Sequence, residues 1–315
     1  MKAFVTGAAG FIGSHLAERL IDAGATVVGI DCFTDYYSRE LKERNLVRLR
    51  ESPRFSLVDQ SLATADLPSL LSDATHVFHL AAQAGVRKSW GRDFHVYTVN
   101  NVEATQILLE ACVGKPIERF VYASSSSIYG DEVTLPMRED ARPQPVSPYG
   151  VTKLAAEQLC YLYYVNHSVP TVALRYFTVY GPRQRPDMGF SRFFEAVLHD
   201  EPVPMFGDGR QTRDFTFVTD AVSATVASAT RGTPGGVYNI GGGSRVELLD
   251  VFELIRIITG RAVRLSRLEA QRGDMRDTYA DTTRARTDLA FAPTVTLEQG
   301  LRAQYEWIAA SNDKR

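Results

Sequence analysis

Tyr149 and Lys153 stand one helical turn apart in Tyr149-Gly150-Val151-Thr152-Lys153, so they share a helix face. An ammonium beside a phenol favours the tyrosinate and pulls its pKa down from about 10. A phenolate poised nearer neutral pH can take a proton from a substrate hydroxyl. The serine run Ser124 to Ser127 lies upstream, where a hydroxyl can relay or share that proton. Removing a proton from an alcohol is half of an oxidation, and the other half is a hydride. The N-terminus offers a place for its acceptor. Val5-Thr6-Gly7-Ala8-Ala9-Gly10-Phe11-Ile12-Gly13 sets glycines at 7, 10 and 13, spaced G-x-x-G-x-x-G. Gly7 suits a tight turn, Gly10 a close backbone approach to a pyrophosphate, and Gly13 close packing of helix on strand. Each motif alone has a plain alternative: a flexible turn, or a tyrosine and a lysine decorating a helix surface. Together they point to redox chemistry at a hydroxyl-bearing carbon.

The elements that must position these residues follow from hydrophobic pattern. Lys2 to Thr6 is a short apolar run that reads as a buried parallel strand. An amphipathic helix follows, with Phe11, Ile12, Leu16, Leu20 and Ile21 at helical spacing. Phosphates would sit on the free N–H groups at its N-terminus. A second strand, Thr26 to Ile30, ends in Asp31, whose carboxylate can accept from adenosine ribose hydroxyls. It would repel a 2′-phosphate, which favours NAD over NADP. The alternative for Asp31 is an exposed loop acid. Phe55 to Val58, His76 to Leu80, Phe120 to Ala123 and Thr171 to Leu174 read as further strands. Asp93 to Cys112 and Ser147 to Tyr164 read as long helices, and Arg192 to His199 and Leu248 to Thr259 as shorter ones. This alternation predicts an α/β fold, a Rossmann-type doubly wound parallel sheet. Past residue 175 the chain is richer in Pro, Gly and Arg, and Val237 to Ile240 reads as a strand rejoining the sheet. The expected division is a cofactor-binding region over 1–175, with returning segments near 215–240. A smaller, interleaved substrate-binding lobe would occupy 176–315.

Composition narrows the function classes. With 315 residues, 44% hydrophobic content and a net charge of −2, an ordinary soluble enzyme is the expectation. Neither nucleic acid nor a membrane surface is expected as partner. No apolar run approaches the ~18 residues of a membrane span. The first strand begins almost at residue 1, which leaves no room for a signal peptide. Cys32, Cys112 and Cys160 form no metal-ligand pattern, so no metal is expected, and reduced thiols fit a cytoplasmic location.

The chain resembles the extended short-chain dehydrogenase/reductase family of nucleotide-sugar epimerases and dehydratases over nearly its whole length. The stretches that carry the resemblance begin with Thr6 to Gly13, His79-Leu80-Ala81-Ala82-Gln83, and Ser124-Ser125-Ser126-Ser127-Ile128-Tyr129-Gly130. They continue with Tyr149 to Lys153, Leu174-Arg175-Tyr176-Phe177-Thr178-Val179-Tyr180-Gly181-Pro182, and Arg213-Asp214-Phe215-Thr216. The resemblance implies Ser125, Tyr149 and Lys153 as the catalytic trio. It implies a cofactor site of Gly7, Gly10, Phe11, Ile12, Gly13 and Asp31, with Leu80, Ala81 and Ala82 lining it. Asp59 and Gln60 would approach the adenine. Asn100, Tyr176, Tyr149 and Lys153 would lie on the nicotinamide side. Arg213 and Arg276 would hold the substrate diphosphate, for which a guanidinium fork is the right shape.

Within the family the serine run discriminates. Dehydratases resemble Asp-Glu after the catalytic hydroxyl, and decarboxylases commonly have Glu where Ser127 stands. Ser126 and Ser127 are neutral hydroxyls, so oxidation followed by re-reduction is favoured, which is epimerisation with tightly held NAD. Asp35-Tyr36-Tyr37 with Leu41-Lys42, Tyr180 to Met188, and Gly273 to Asp281 resemble UDP-glucuronate 4-epimerases. Arg185 with Thr178, Ser126 and Ser127 would then hold the sugar carboxylate. Arg185 reads alternatively as a surface arginine, and Arg87 as either a substrate contact or the partner of a nearby acid. UDP-glucose 4-epimerase and UDP-glucuronate decarboxylase stay open as alternatives, as does a non-catalytic dinucleotide sensor. Relatives pair the two long helices into a four-helix interface, which implies a homodimer.

Overall fold

The computed structural model describes residues 1–131 and 133–312. Six strands come from the first 176 residues: β1 (Lys2–Thr6), β2 (Thr26–Asp31), β3 (Phe55–Asp59), β4 (His76–His79), β5 (Arg119–Ser125) and β6 (Thr171–Tyr176). The strand Val237–Ile240 completes a seven-stranded sheet ordered Val237–Ile240, β6, β5, β4, β1, β2, β3. Every neighbouring pair is parallel. Alternation along the strands shows why. Val5, Phe78 and Val121 join one buried cluster, while their neighbours Phe4, Val77 and Phe120 join the other. Both faces are therefore covered, and the strands read as continuous apolar runs. The chain runs outward from β1 to β3, then crosses back to β4 and runs the other way. The crevice at the carboxyl ends of β1 and β4 is where ligands bind in such sheets.

The helix Leu248–Thr259 lies where its pattern placed it, and Pro148–His167 and Gly189–Leu198 differ only at their ends. Asp93 to Cys112, expected as one regular helix, is interrupted. A π-helical turn, Thr98–Glu103, separates α-helical Phe94–Tyr97 from Ala104–Cys112. Such widened turns commonly serve sites. Here the turn carries the buried Asn101.

The second half adds short strand pairs around the crevice. Val179–Tyr180 pairs with Thr216–Phe217, Thr212–Asp214 with Arg245–Glu247, and Val203–Phe206 with Leu265–Leu268. The helix Val218–Arg231 buries Val218, Ala221, Val222 and Thr225 and packs against the first helix, Phe11–Asp22. In the helix Leu297–Asn312, fully buried Gln304 accepts from Gly181 N at 2.9 Å and donates to Gln184 Oε1 at 2.8 Å. That clamp fixes the base of the loop 181–188.

Candidate active site

Ser125 ends β5, with its backbone opposite Tyr176 of β6. Ser147 caps the helix Pro148–His167 through a bond from Gly150 N at 3.1 Å, and Pro148 occupies its first turn. This start aims Tyr149 and Lys153 at the crevice, where both line a cavity of about 840 Å³ with Ser125. The Tyr149 ring packs edge-on against Tyr97 at 6.2 Å. Lys153 Nζ sits 4.4 Å from the centroid of Tyr122.

The expected drop in the Tyr149 pKa is corrected here. Burial pushes the phenol up, and the hydrogen bond with Ser125 and the charge of Arg185 pull only partly the other way. Burial in turn lowers Lys153 to about 7, against the upward pull of Cys160 and Glu157. The pattern gave spacing but no depth, and depth decides the sign.

Two buried networks hold the cavity walls. Thr6 Oγ1 meets His79 Nδ1 at 2.8 Å and accepts from Leu80 N and Ala81 N at 3.1 and 3.0 Å. Burial depresses His79 to about 3, so it stays neutral. Asn101 Oδ1 accepts from Gln83 N at 2.7 Å, while its Nδ2 donates to Gln83 O and Thr152 Oγ1, both at 3.0 Å. The π-turn thereby joins the loop after β4 to the helix Pro148–His167. Asn100, the residue singled out by resemblance, lines the cavity and donates to Val96 O. Asn101 behind it was missed.

At the other end Gly7, Gly10, Phe11, Ile12, Gly13, Asp31, Leu80, Ala81 and Ala82 line the same cavity. A dinucleotide fits this cradle. Gly7 has φ +69°, and a Cβ on Gly13 would stand 2.1 Å from Gly7 O. No side chain caps the helix start at Gly10, which leaves its N–H groups open to a phosphate. Asp31 is buried; it accepts from Ala9 N and Phe33 N and pairs with Lys42 Nζ at 2.8 Å. Lys42 is a cavity residue that the sequence reading did not weigh. Asp59 and Gln60, expected to approach the adenine, lie just outside this lining. Both are exposed, Asp59 binds Arg39 at 2.5 Å, and Ser61 and Leu62 form the cavity wall instead.

Towards the second half the wall contains Ser126, Ser127, Tyr176, Thr178, Arg185, Asp187 and Arg192. Tyr176 is buried, its hydroxyl 2.6 Å from Thr225 Oγ1. Arg185 forks onto Asp187 at 2.9 and 3.0 Å. Arg87 pairs with Asp274 at 2.7 Å and stacks 3.9 Å over Phe206. Arg213 lines an adjoining pocket of about 180 Å³, its Nη1 donating to Thr212 O and Arg276 O. Arg276 does not join them. It is exposed, pairs with Asp208 at 2.9 Å, and lines neither cavity. Its motif places its backbone correctly beside Arg213, but the side chain turns to an acid outside.

Residues 3–241 match the NAD dependent epimerase/dehydratase family. The chain belongs to that family. Among its relatives, a Bacillus subtilis (strain 168) protein described as an uncharacterised UDP-glucose epimerase, YtcB, is 45% identical over 98% of both chains. A probable UDP-glucuronate 4-epimerase of Rhizobium meliloti (strain 1021) is 36% identical over 98% of this chain and 96% of that one. The crystal structure of UDP-glucuronic acid 4-epimerase from Bacillus cereus, with UDP-glucuronic acid and NAD, superposes with a TM-score of 0.96. It is 45% identical and covers 99% of this chain and 100% of that one. Three residues of this epimerase/dehydratase family member had no role assigned from the sequence. Lys42 and Asp187 were read only as parts of resembling stretches, without a role, and Asn101 bonds Gln83 and Thr152, partners that only the fold brings near.

Proposed function

We propose that the chain is an NAD-dependent UDP-sugar 4-epimerase acting on UDP-glucuronate and giving UDP-galacturonate. One observation carries the reading. The cavity that holds Ser125, Tyr149 and Lys153 also holds Arg185, while Ser126, Ser127 and Thr178 offer only hydroxyls. A cation with neutral donors suits a sugar acid, and Ser126 and Ser127 are hydroxyls where a dehydratase would present an acid pair. The named relatives support the same substrate class.

Bound NAD supplies a reversible hydride acceptor at the sugar C4. Gly7, Gly10 and Gly13 with the first helix would hold its pyrophosphate, and Asp31 with Lys42 its adenosine ribose. Tyr149 takes the 4-hydroxyl proton, and Ser125 steadies the developing carbonyl oxygen. Lys153, one helical turn from Tyr149, would hold the nicotinamide ribose. A 4-keto sugar forms, turns in the cavity, and is reduced on its other face as Tyr149 returns the proton. Arg213 and Arg87 bound the diphosphate end. A 4-keto acid loses CO2 readily, so the Arg185 side must hold the carboxylate still.

The division into a cofactor region, 1–175 with segments near 215–240, and a substrate lobe, 176–315, belongs to this reading. So does a homodimer. Phe94 and Val96 on the helical segment Phe94–Tyr97 and Val151, Tyr161, Leu162 and Val165 on Pro148–His167 are exposed. Among the described residues no helix is long and apolar enough to cross a membrane, and Cys32, Cys112 and Cys160 are free thiols. A cytoplasmic location accords with both. A second reading, UDP-glucose 4-epimerisation, draws on the Asp187 that already neutralises Arg185. Incubation with each UDP-sugar, followed by NMR of C4 stereochemistry and CO2, decides between them. Turnover of UDP-glucose alone would overturn the sugar-acid reading, and activity retained in Tyr149→Phe would remove Tyr149 from the mechanism.

A further inference from the structure

Arg185 does not stand alone in the cavity wall. Its Nε and Nη2 donate to the two oxygens of Asp187 at 2.9 and 3.0 Å. The same carboxylate accepts a third bond, from the Tyr36 hydroxyl at 3.1 Å. Tyr36 comes from the loop after β2 and is backed by Gly85, where a Cβ would meet the hydroxyl oxygen at 2.6 Å. The Arg185 guanidinium also lies 5.8 Å from the centroid of the Tyr36 ring. All three residues line the large cavity, and the side chains of Arg185 and Asp187 keep 19% and 29% of their exposure. An ion pair between residues two apart in a loop is ordinarily surface decoration worth little. This one is partly buried, pinned by a third residue from another part of the chain, and built into the site.

A guanidinium offers five N–H groups and more than one edge that can fork onto a carboxylate. Asp187 takes the Nε/Nη2 edge. Among the described residues no hydrogen bond from Nη1 is recorded, so the Nη1/Nη2 edge remains for a second carboxylate. An arginine left to itself would first have to be ordered, at the cost of much of its rotamer freedom.

We propose that Asp187, pinned by Tyr36, is a specificity-determining positioning residue that holds one edge of Arg185 so that the other edge meets the carboxylate of the sugar. The proposal rests on the sugar-acid reading above. It gives Tyr36 and Asp187 a role in recognition although neither needs to touch the substrate. It also explains how one cavity can tolerate a neutral sugar: Arg185 is not left as an unpaired cation when no substrate carboxylate is present.

The test is steady-state kinetics of Asp187→Ala and Tyr36→Phe on UDP-glucuronate and UDP-glucose, with CO2 measured per epimerisation. Bound NAD and thermal melting serve as checks on folding. Asp187→Ala should raise KM for UDP-glucuronate about 10-fold and increase the CO2 fraction, with kcat/KM for UDP-glucose within about 2-fold. Tyr36→Phe should shift both quantities the same way by less. On an Arg185→Ala background Asp187→Ala should add no further loss. A lower KM for the acid would mean that Asp187 competes with the substrate and would overturn the proposal. Equal losses on both sugars, or an undiminished effect without Arg185, would mark a purely structural role and overturn it as well. Wild type that ignores UDP-glucuronate would defeat the sugar-acid reading and the proposal with it. Wild type that epimerises the acid, with a silent Asp187→Ala, would defeat the proposal alone.

Discussion

Replacing Arg185 by Ala removes the cation assigned to the sugar carboxylate in the cavity it shares with Tyr149. A charge-assisted bidentate contact contributes about 1.5–3 kcal/mol, so UDP-glucuronate kcat/KM should fall roughly 10- to 150-fold. The geometry favours the upper part of that range. Asp187 now forks onto Arg185 at 2.9 and 3.0 Å, and truncation leaves its carboxylate facing the sugar acid with only Tyr36 as partner. Like charges at close range add to the loss. Arg185→Lys keeps the charge without the planar fork and should fall between wild type and Ala. Folding should hardly change, because a partly exposed pair contributes only about 0–1 kcal/mol, or a few degrees of melting temperature. The assay is NMR of both UDP-sugars with CO2 trapped in parallel. The loosened keto acid should release more CO2 per epimerisation, while weak UDP-glucose turnover stays nearly constant. Equal losses on the two sugars would place Arg185 on the diphosphate or in the fold, and the carboxylate assignment would be abandoned.

Asp31→Ala should weaken NAD about 10-fold or more in calorimetric titration and raise relative NADP affinity, because it frees the Lys42 ammonium now 2.8 Å away. Wild type that binds NADP as well as NAD would refute the ribose assignment. His79, depressed to about 3 by burial, takes up its proton only on unfolding between that value and about 6.5. It therefore contributes stability near neutral pH that is lost as pH falls from about 6.5, at up to about 1.4 kcal/mol per pH unit. Asp214, raised to about 6 by burial, works in the opposite sense, since its contribution is lost as pH rises through that value. The wild-type-minus-His79→Gln difference in unfolding free energy between pH 7 and 5 isolates the histidine, and a difference independent of pH would contradict it. Light scattering at micromolar concentration should give twice the chain mass, and a clean monomer would exclude the four-helix interface.

The sheet was legible because both faces of its central strands are covered, so strands such as β1 and β2 announce themselves as apolar runs. The chemistry was legible where it is local. Three glycines within one turn and a tyrosine one turn before a lysine need no knowledge of the fold. What escaped depends on depth or distance. Burial reversed the expected direction for Tyr149, and only the folded chain shows which groups are buried. A widened turn put Asn101, rather than its neighbour Asn100, between Gln83 and Thr152. The helix Val218–Arg231 was not foreseen, since Val218-Thr219-Asp220-Ala221-Val222-Ser223-Ala224-Thr225 is rich in poor helix formers and is stabilised by packing. Arg276 shows the converse case. Its motif matched, yet its side chain chose Asp208.

The Gln304 clamp carries a consequence for the order of events during synthesis. A chain emerging from its N-terminus can close the nucleotide-binding sheet as soon as Val237–Ile240 has been made. Two of the groups that anchor the loop bearing Arg185, Gly181 N and Gln184 Oε1, find a partner in Gln304 only when that residue is made. Before that the loop keeps its other anchors, among them the Arg183–Glu18 pair and the bond from Tyr36 to Asp187. Completion of the helix Leu297–Asn312 is the step that closes the buried Gly181–Gln184–Gln304 cluster at the foot of the loop.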